Sequence, residues 1–409
     1  MSRERGSVAI VGVVGAGVMG AGIAQVALEA GAEVVIHDVD PTAVDRATVR
    51  IRDGLGRRAS KLDLDADSID EWVDGRMGRL RHSETLDGIA AEAELIIEAV
   101  AEDPALKSAV FRTLDAEAGP DVILATNTSA LSVRAIAEAT STPGRVLGLH
   151  FFNPVPLMAL VEVVVPELVD PDVVQRSMAT VTAWGKTTVR CTDSPGFIVN
   201  RVNRPFTLEA LAILESGVAS PGEIDAAMRD AGFPLGPFEL MDLTGIDVTT
   251  AATRSIHDAM AEAGDPYADR FLPSPVQERL LADGHLGRKT GHGFYTYDAA
   301  GRRATPAAAD GGPSAGEVVD RITIAVVGEA YRALGDEVAS ADEIDLAMRL
   351  GVGHPTGPFE RGASLGGPRA VVAALERRRD LGPRFVPPKG LLAAAAMLPA
   401  DSPAAGRGS

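Results

Sequence analysis

The sequence has little that could cross-link it, hold a metal or cross a membrane. Its 409 residues include one cysteine, Cys191, so no disulfide can form within the chain, and no group of Cys and His residues has the spacing of a zinc site. The longest apolar stretch near the end, Leu391–Leu398, is far shorter than a membrane span. The N-terminal segment leads directly into a strand-like run and lacks the apolar core of a signal peptide. We therefore expect a cytoplasmic protein without a metal or a membrane anchor.

Positive charge is also scarce. Lys and Arg number 39 against 57 Asp and Glu, which leaves a net charge of −18. A charge of that sign and size repels nucleic acid and anionic membranes, so we expect neither as a partner. It also repels phosphorylated ligands, so a phosphorylated cofactor would need local hydrogen-bond donors. The balance of 46% hydrophobic and 23% charged residues is that of an ordinary globular protein and excludes a disordered chain.

Short β-rich runs alternate with helical patterns through the first half of the chain. Ala-rich stretches such as Val18–Ala30 separate the runs, and Asp40-Pro41 is typical of a helix start. This alternation requires crossover connections and predicts an α/β doubly wound, Rossmann-type domain with a parallel sheet. The charged segment Leu55–Arg81 is predicted to form a helical excursion outside the sheet. The predicted strands are Val8–Val14, Glu33–His37, Leu95–Val100, Val122–Ala125, Val146–His150, Leu160–Val165 and Thr187–Val189.

The second half of the chain is helical and contains an internal repeat. Two segments recur at the same offset, and a third recurs one residue further on, so chance is a poor explanation. We infer two tandem all-α domains that arose by duplication. The matching pairs are Ser194–Arg201 with Ser314–Arg321, Glu223–Arg229 with Glu343–Arg349, and Gly236–Glu239 with Gly357–Glu360.

These patterns predict where the domains begin and end. Residues 1–191 are predicted to form the Rossmann-type domain, and residues 192–300 the first helical copy. Residues 301–316, rich in Ala, Gly, Pro and Asp, are predicted to be a linker. Residues 317–397 would form the second, degenerate helical copy, and residues 398–409 a tail.

A glycine-rich loop follows the first predicted strand and opens a helix. In Gly15-Ala-Gly-Val-Met-Gly20, Gly15 suits the tight turn, Gly17 lets the backbone approach a pyrophosphate, and Gly20 lets the helix pack on the strand. The loop, including Val18 and Met19, would bind a dinucleotide at the helix N-terminus. Asp38 ends the second strand, where an acid binds the ribose hydroxyls and disfavours a 2′-phosphate. The expected cofactor is NAD.

A histidine and a glutamate stand at the end of the predicted sheet. His150 ends one apolar strand, and Glu162 lies within the next, where an unpaired carboxylate would be costly to bury. A turn at Asn153–Pro156 could bring the two together as a general base with a carboxylate that orients it. A histidine between apolar residues can also be a hydrogen-bonded core residue, but the buried glutamate favours the catalytic interpretation.

Six ordered segments make the chain resemble the L-3-hydroxyacyl-CoA dehydrogenase family, of the 3-hydroxybutyryl-CoA dehydrogenase type. They cover about residues 8–298. The resemblance implies oxidation of the C3 hydroxyl of an acyl-CoA to a ketone, with hydride transfer to NAD. The segments are Gly15–Gln25, Ala125–Leu131, Gly148–Pro156, Leu160–Val164, Asp193–Arg201 and Gly287–Tyr297.

The resemblance also implies roles for individual residues. His150 would be the general base, oriented by Glu162, while Ser129 and Asn200 would hydrogen-bond the C3 oxygen. Sequence alone would favour Ser129 as a turn or N-cap residue and Asn200 as a helix cap, and the resemblance outweighs those interpretations. Further implied cofactor contacts are Glu102, Lys107, Asn153 and Lys289, and Lys61, near Arg57 and Arg58, lies where the family binds CoA.

The second helical copy departs from single-domain members of the family. It has Asp320 where the first copy has Asn200, and it has no nucleotide domain of its own. We expect a non-catalytic copy that replaces the dimer partner, which gives a monomer with an internal pseudo-dimer, although a homodimer stays open. Two other functions also stay open: a dehydrogenase of a free hydroxy acid such as gulonate, and a catalytically silent binding or structural relative. The acyl chain length, and whether the acyl chain ends in a second carboxylate, are not determined.

Overall fold

The computed structural model describes residues 8–303 and 315–397, and the chain divides into two compact units between Phe197 and Ile198. Most of the predicted linker, residues 304–314, and the predicted tail, residues 398–409, lie outside the described residues. None of the helices within the described ranges is both long and apolar enough to cross a membrane.

The first unit is a single eight-stranded sheet flanked by helices. The strand order is β3-β2-β1-β4-β5-β6-β7-β8, and every neighbouring pair is parallel except β6 and β7, which are antiparallel. This is the predicted doubly wound α/β architecture. The strands are β1 (Ile10–Val14), β2 (Glu33–His37), β3 (Leu80–His82), β4 (Leu95–Glu98), β5 (Ile123–Thr126), β6 (Val146–Phe151), β7 (Leu160–Val165) and β8 (Thr187–Thr192).

Helices cover both faces of the sheet, so its central strands are buried on both sides. All residues of β4, β5 and β6 are buried, which explains why these strands are continuous apolar runs without alternation. Asp40 accepts a hydrogen bond from Thr42 N and begins α2, as the Asp40-Pro41 pair predicts. The helices are α1 (Val18–Glu29), α2 (Pro41–Ala59), α3 (Ala66–Met77), α4 (Leu86–Glu92), α5 (Pro104–Glu117), α6 (Val133–Ala137) and α7 (Pro171–Ala183), with a 3₁₀ turn at Pro143–Arg145.

The prediction that Leu55–Arg81 is a helical excursion outside the sheet is wrong at its C-terminal end. Leu55 is fully buried, and α2 continues through it to Ala59 on the core. Leu80–His82 forms the edge strand β3, which pairs with β2. The exposed Arg81 bonds Glu92 and Glu33, and such charges are typical of sheet edges, where they discourage further strand pairing. Of the charges that indicated a solvated segment, that of Arg81 therefore lies on an edge strand. The strand β8 is also longer than predicted and ends at Thr192.

The second unit is helical throughout its described residues, apart from isolated bridges around residues 287–303. The helix α14 begins at Ala315, inside the predicted linker. The helices are α8 (Val199–Val202), α9 (Arg204–Glu215), α10 (Pro221–Asp230), α11 (Pro237–Thr244), α12 (Ile246–Glu262), α13 (Pro275–Ala282), α14 (Ala315–Gly335), α15 (Ala341–Val352), α16 (Pro358–Ser364), α17 (Pro368–Glu376) and α18 (Lys389–Met397), with 3₁₀ turns at Ala268–Phe271, Arg288–Thr290, Arg379–Leu381 and Pro383–Phe385.

The repeated segments form the same local structures in the two halves of this unit. Ser220 and Glu223 form a capping box at the start of α10, and Ser340 and Glu343 form one at the start of α15. Asp225 accepts from the backbone N–H groups of residues 238 and 239, as Asp345 does from those of 359 and 360. The sequence repeat is therefore also a repeat of hydrogen-bonding patterns.

Candidate active site

The loop between β1 and α1 lies at the carboxyl edge of the sheet. Gly15 has a φ of +102°, and a Cβ there would lie 2.6 Å from the Ala99 carbonyl oxygen. A Cβ on Gly20 would lie 1.8 Å from the Gly15 carbonyl oxygen, so glycine is needed for α1 to start this close to the loop. A Cβ on Gly17 would meet open space, which leaves the backbone there accessible to a ligand. Val18 and Met19 open α1, where the first N–H groups of a helix lack intrahelical acceptors.

Asp38 directly follows β2 and is hydrogen-bonded to this loop. Its Oδ2 accepts from Ala16 N at 2.7 Å, and its Oδ1 accepts from Asp40 N at 3.0 Å. The carboxylate is therefore fixed beside the glycine turn, where a ribose next to a bound pyrophosphate would lie. The loop and the carboxylate fit a dinucleotide: an open backbone, a helix N-terminus for the phosphates and an acceptor for the ribose hydroxyls.

The antiparallel strands β6 and β7 bring His150 and Glu162 together. The two residues are directly opposite in the strand register, and Nδ1 of His150 lies 2.6 Å from Oε2 of Glu162. Their side chains are 5% and 0% exposed. Because a carboxylate can only accept, Nδ1 carries a proton and Nε2 is the nitrogen available as a base. The hydroxyl of Ser129 lies 3.1 Å from Nε2. The predicted pairing of His150 with Glu162 is present, and Ser129 lies on the Nε2 side of the ring.

Aromatic rings pack against this imidazole. The ring centroids of Phe152 and Phe197 lie 4.6 Å and 5.6 Å from that of His150. Phe197 has a φ of +49°, in the left-handed region that side chains other than glycine rarely adopt. Such a conformation costs about 1–3 kcal/mol and persists where the surrounding structure holds it. The strained backbone thus lies beside the imidazole of His150.

Glu102 holds the loop that carries Ser129. Its Oε1 accepts from Thr128 Oγ1 at 2.5 Å, from Ser129 N at 2.9 Å and from Ala130 N at 3.2 Å. Burial alone would raise the pKa of Glu102, but the hydrogen bond from Thr128 and the charge of Lys107 outweigh it and hold the pKa below its usual value. Glu102 therefore stays ionised and fixes the backbone on both sides of the Ser129 amide.

Lys107 is buried among carboxylates. Its side chain is 1% exposed, and its Nζ lies 2.7 Å from Oε1 of Glu98 and 3.3 Å from Oε2 of Glu102. Glu98, fully buried at the end of β4, also accepts from Thr126 Oγ1 at 2.7 Å. The ammonium group thus lies behind Glu102 and connects that residue to the end of the sheet.

The loop after β6 carries Asn153 and is tied to two other elements. Asn153 is exposed and precedes Pro154. Lys186 donates to the Val155 carbonyl oxygen at 2.5 Å and to that of Met158 at 2.8 Å. A Cβ on Gly22 of α1 would lie 2.8 Å from Cβ of Val155. The loop next to His150 is therefore packed directly against the helix that the glycine loop opens.

The remaining predicted site residues lie elsewhere. Lys61 is exposed in the turn after α2, with Arg57 and Arg58 nearby on that helix. Asn200 belongs to α8 in the second unit and lines a cavity there. Lys289 also belongs to the second unit, where its Nζ lies 2.6 Å from both carboxylate oxygens of Asp247. That ion pair gives Lys289 a structural partner.

Sequence reasoning missed several residues that shape the site. Glu98 is an acid at the end of an apolar strand, the same signal that identified Glu162, and could have been found in that way. Asn127, whose Oδ1 accepts from Phe151 N at 2.8 Å, joins β5 to β6 behind the histidine. Lys186 had no signal in the sequence, because its two acceptors are backbone oxygens about thirty residues earlier.

Comparison with known proteins places both units in one family. The model for "3-hydroxyacyl-CoA dehydrogenase, NAD binding domain" matches residues 10–194. The model for "3-hydroxyacyl-CoA dehydrogenase, C-terminal domain" matches twice, over residues 196–297 and 316–385. The cofactor is accordingly NAD, as the loop geometry indicates.

Individual relatives agree with these matches. The chain is 35% identical to the 3-hydroxyadipyl-CoA dehydrogenase of Escherichia coli over 96% of this chain and 98% of that protein. The crystal structure of 3-hydroxybutyryl-CoA dehydrogenase from Escherichia coli has a TM-score of 0.86 and 34% identity, covering 96% of this chain and 99% of that one. That of (S)-3-hydroxybutyryl-CoA dehydrogenase from Ralstonia eutropha has a TM-score of 0.67 and 35% identity, covering 71% and 100%. With both parts of the family matched along nearly the whole described chain, the protein belongs to the NAD-dependent 3-hydroxyacyl-CoA dehydrogenases.

Proposed function

We propose that His150 is the general base that removes the proton of the C3 hydroxyl of an L-3-hydroxyacyl-CoA and returns it in the reverse reaction. The observation that carries this proposal is the buried contact of 2.6 Å between Nδ1 of His150 and Glu162, which leaves Nε2 3.1 Å from the Ser129 hydroxyl. Bound NAD supplies the hydride acceptor at C4 of its nicotinamide ring.

Each neighbouring group has a task that follows from its chemistry. Glu162 keeps the proton on Nδ1 and stabilises the imidazolium that forms when Nε2 takes a proton. Ser129 donates to the C3 oxygen, and Asn200 does the same from the helical unit. Their donors stabilise the charge on that oxygen while its proton leaves.

The cofactor side is formed by the first unit. Gly15, Gly17, Val18, Met19 and Gly20 would hold the pyrophosphate, and Asp38 the ribose. Glu102 and Asn153 would flank the nicotinamide. We assign Lys107 a positioning role through Glu102, because its ammonium is buried against Glu98 and Glu102. Lys289 keeps a structural role, since it is paired with Asp247.

The CoA moiety needs local positive charge on a chain with a net charge of −18. Lys61 is exposed in the turn after α2, and Arg57 and Arg58 precede it in the last turn of that helix. This group is the proposed contact for the CoA phosphates. The proposed partner is an acyl-CoA substrate in the cytoplasm. Neither nucleic acid nor a membrane is a proposed partner.

One assay tests the function as a whole. NADH oxidation is measured with a 3-ketoacyl-CoA thioester, either acetoacetyl-CoA or a longer or carboxylated one, and, in parallel, with a free 3-keto acid of the gulonate type. Turnover of the thioester and none of the free acid is the expected result. Turnover of the free acid alone would assign the alternative dehydrogenase function, and no turnover of either would leave a silent relative of the family.

Replacing Glu162 by Gln should lower kcat by about 10²–10⁴-fold, because the neutral amide no longer fixes the tautomer or supports the imidazolium. The measurement is kcat for acetoacetyl-CoA reduction across the pH range, with the NADH dissociation constant as a check on folding. Glu167→Gln is the matched control, since this glutamate follows β7 and its side chain is 88% exposed. An unchanged rate and pH profile in Glu162→Gln would contradict the paired role.

We further propose that residues 317–397 are a degenerate second copy of the helical domain, which packs on the first as an internal partner. The supporting contacts are reciprocal. Arg201 of the first copy lies 2.9 Å from Glu329 of the second, and Arg321 of the second lies 2.6 Å from Glu209 of the first. Both arginines and both glutamates are equivalent at an offset of 120 residues in the repeat. Reciprocal ion pairs of this kind, in which equivalent residues of the two copies contact each other, are typical of a two-fold symmetric interface.

A fragment of residues 1–300 tests this role of the second copy. Without the second copy, the face of α9 that α14 covers becomes exposed to solvent, and Glu209 loses its partner Arg321. We expect the fragment to dimerise or to aggregate, whereas the full chain stays monomeric, as measured by light scattering coupled to gel filtration. A fragment that remains a stable, fully active monomer would show that the second copy is not a substitute partner.

A further inference from the structure

A cavity in the helical unit contains both Asn200 and a buried arginine, Arg204. Its volume is about 140 Å³, roughly ten times the ~10–15 Å³ that a single water needs on the same measure. The walls include the apolar side chains of Val199, Leu240 and Val248, and none of the described residues that line it is acidic. The cavity is therefore large enough for several non-hydrogen atoms of a ligand. A carboxylate bound in it would not be repelled by the side chains that line it.

Arg204 is an unusual cation in this unit. It is 8% exposed, and within residues 8–303 and 315–397 its guanidinium has no carboxylate or other acceptor as a partner, with Nε fully buried and unbonded. Burial lowers the pKa of Arg204 to about 10, so it is still charged at neutral pH. By contrast, Arg201 and Arg270, each 1% exposed, are both paired with Glu329.

A buried charge without a partner is expensive, and it is usually paired with a counter-ion or a ligand. The ligands that match a guanidinium are carboxylates and phosphates, which it binds through two parallel hydrogen bonds. The apolar walls of this cavity suit carbon chain better than the hydrated phosphates of CoA. The chemistry of the cavity therefore favours an apolar chain that ends in a carboxylate.

The spacing of Asn200 and Arg204 relates this cavity to the reaction. The residues are four apart, and the backbone between them is helical, including Asn203 with φ −81° and ψ −10°. Side chains at this spacing lie about 5–6 Å apart on one face. A ligand that contacts Asn200 with its C3 oxygen would thus reach Arg204 with the end of a short chain.

We propose that Arg204 binds a carboxylate at the far end of the acyl chain, so that the preferred substrate is a short 3-hydroxyacyl-CoA with a second, terminal carboxylate. This inference rests on the proposed function, which assigns the C3 oxygen to Asn200. Arg204 would act on specificity, because it contacts a part of the substrate that does not react.

The test compares two 3-ketoacyl-CoA substrates of equal length in the full-length enzyme. 3-Oxoadipyl-CoA ends in a carboxylate, and 3-oxohexanoyl-CoA ends in a methyl group. The measured quantity is kcat/KM for each with NADH, in the wild type, Arg204→Met and Arg204→Lys. The wild type should prefer 3-oxoadipyl-CoA, and Arg204→Met should lose about 10²-fold on that substrate alone, since an unpaired carboxylate is then buried. Arg204→Lys should keep part of the preference.

Arg254→Met is the matched control, because this arginine is exposed and paired with Glu278. It should leave the ratio of the two kcat/KM values unchanged. Thermal unfolding of Arg204→Met adds a second readout: removing an unpaired buried charge should leave the melting temperature unchanged or raise it. A clearly lower melting temperature would make Arg204 a structural residue and overturn the proposal.

The kinetic outcomes also separate the alternatives. An equal loss on both substrates would show that Arg204 binds a phosphate of CoA or the cofactor, which overturns the proposal. A wild type that does not favour the carboxylated substrate overturns it as well. If the wild type reduces neither 3-ketoacyl-CoA, the proposed function itself fails, and that result differs from every outcome in which only the Arg204 variants disagree.

Discussion

Replacing His150 by Gln should lower kcat for acetoacetyl-CoA reduction by about 10²–10⁴-fold and leave the NADH dissociation constant nearly unchanged. A positioned general acid or base contributes rate factors of this size. Glutamine can keep a hydrogen bond to Glu162, but its amide does not take up a proton. The effect should therefore appear in kcat and not in cofactor affinity, because the glycine loop and Asp38 belong to other strand ends.

The measurement is steady-state kinetics together with NADH binding followed by cofactor fluorescence. His257→Gln is the control, because this histidine lies on α12 and faces the acidic side chains of Asp258 and Asp269. It should retain wild-type kcat. Turnover within a few-fold of the wild type in His150→Gln would refute the base assignment, while a parallel loss of NADH binding would indicate a damaged fold.

Replacing Glu329 by Ala should reduce the free energy of unfolding by about 3–5 kcal/mol, because it leaves two buried arginines without their counter-ion. Glu329 is 2% exposed and lies 2.9 Å from Arg201 and 2.7 Å from Arg270. Burial would raise the pKa of Glu329, but Arg270 and Arg201 hold it below the usual 4.5. Its stabilising contribution is therefore present at neutral pH and is lost as the pH falls through the acid range.

Two probes can localise this loss. The only tryptophans, Trp72 and Trp184, both lie in the first unit, so their fluorescence reports on that unit, whereas circular dichroism at 222 nm also reports on the helical unit. The urea midpoint from circular dichroism should fall in Glu329→Ala. Glu376→Ala is the control, since its ion pair with Arg379 is exposed and should contribute less than about 1 kcal/mol. A loss below about 1 kcal/mol in Glu329→Ala would show that the two copies do not depend on this pair.

The sequence by itself determined the features that depend on local pattern. Continuous apolar runs indicated buried strands, and the alternation of strands and helices indicated the doubly wound sheet, because crossover connections leave few alternatives. The twelve-residue spacing of His150 and Glu162 across a turn was enough to predict their contact, since the partner strand is next in the chain. The Rossmann glycines were readable because they form one short, contiguous motif, and the helical repeat was readable because short segments recur at a nearly constant offset.

Only the tertiary structure decided the features that join distant parts of the chain. Leu80–His82 pairs with a strand more than forty residues earlier, and its charges made it indistinguishable from a solvated segment. Lys107 proved to be buried between Glu98 and Glu102, and Arg204 to lie beside a cavity with no acceptor for its guanidinium among the described residues. Whether a charged side chain is paired, exposed or left for a ligand depends on neighbours that packing supplies, and a linear pattern carries no record of them.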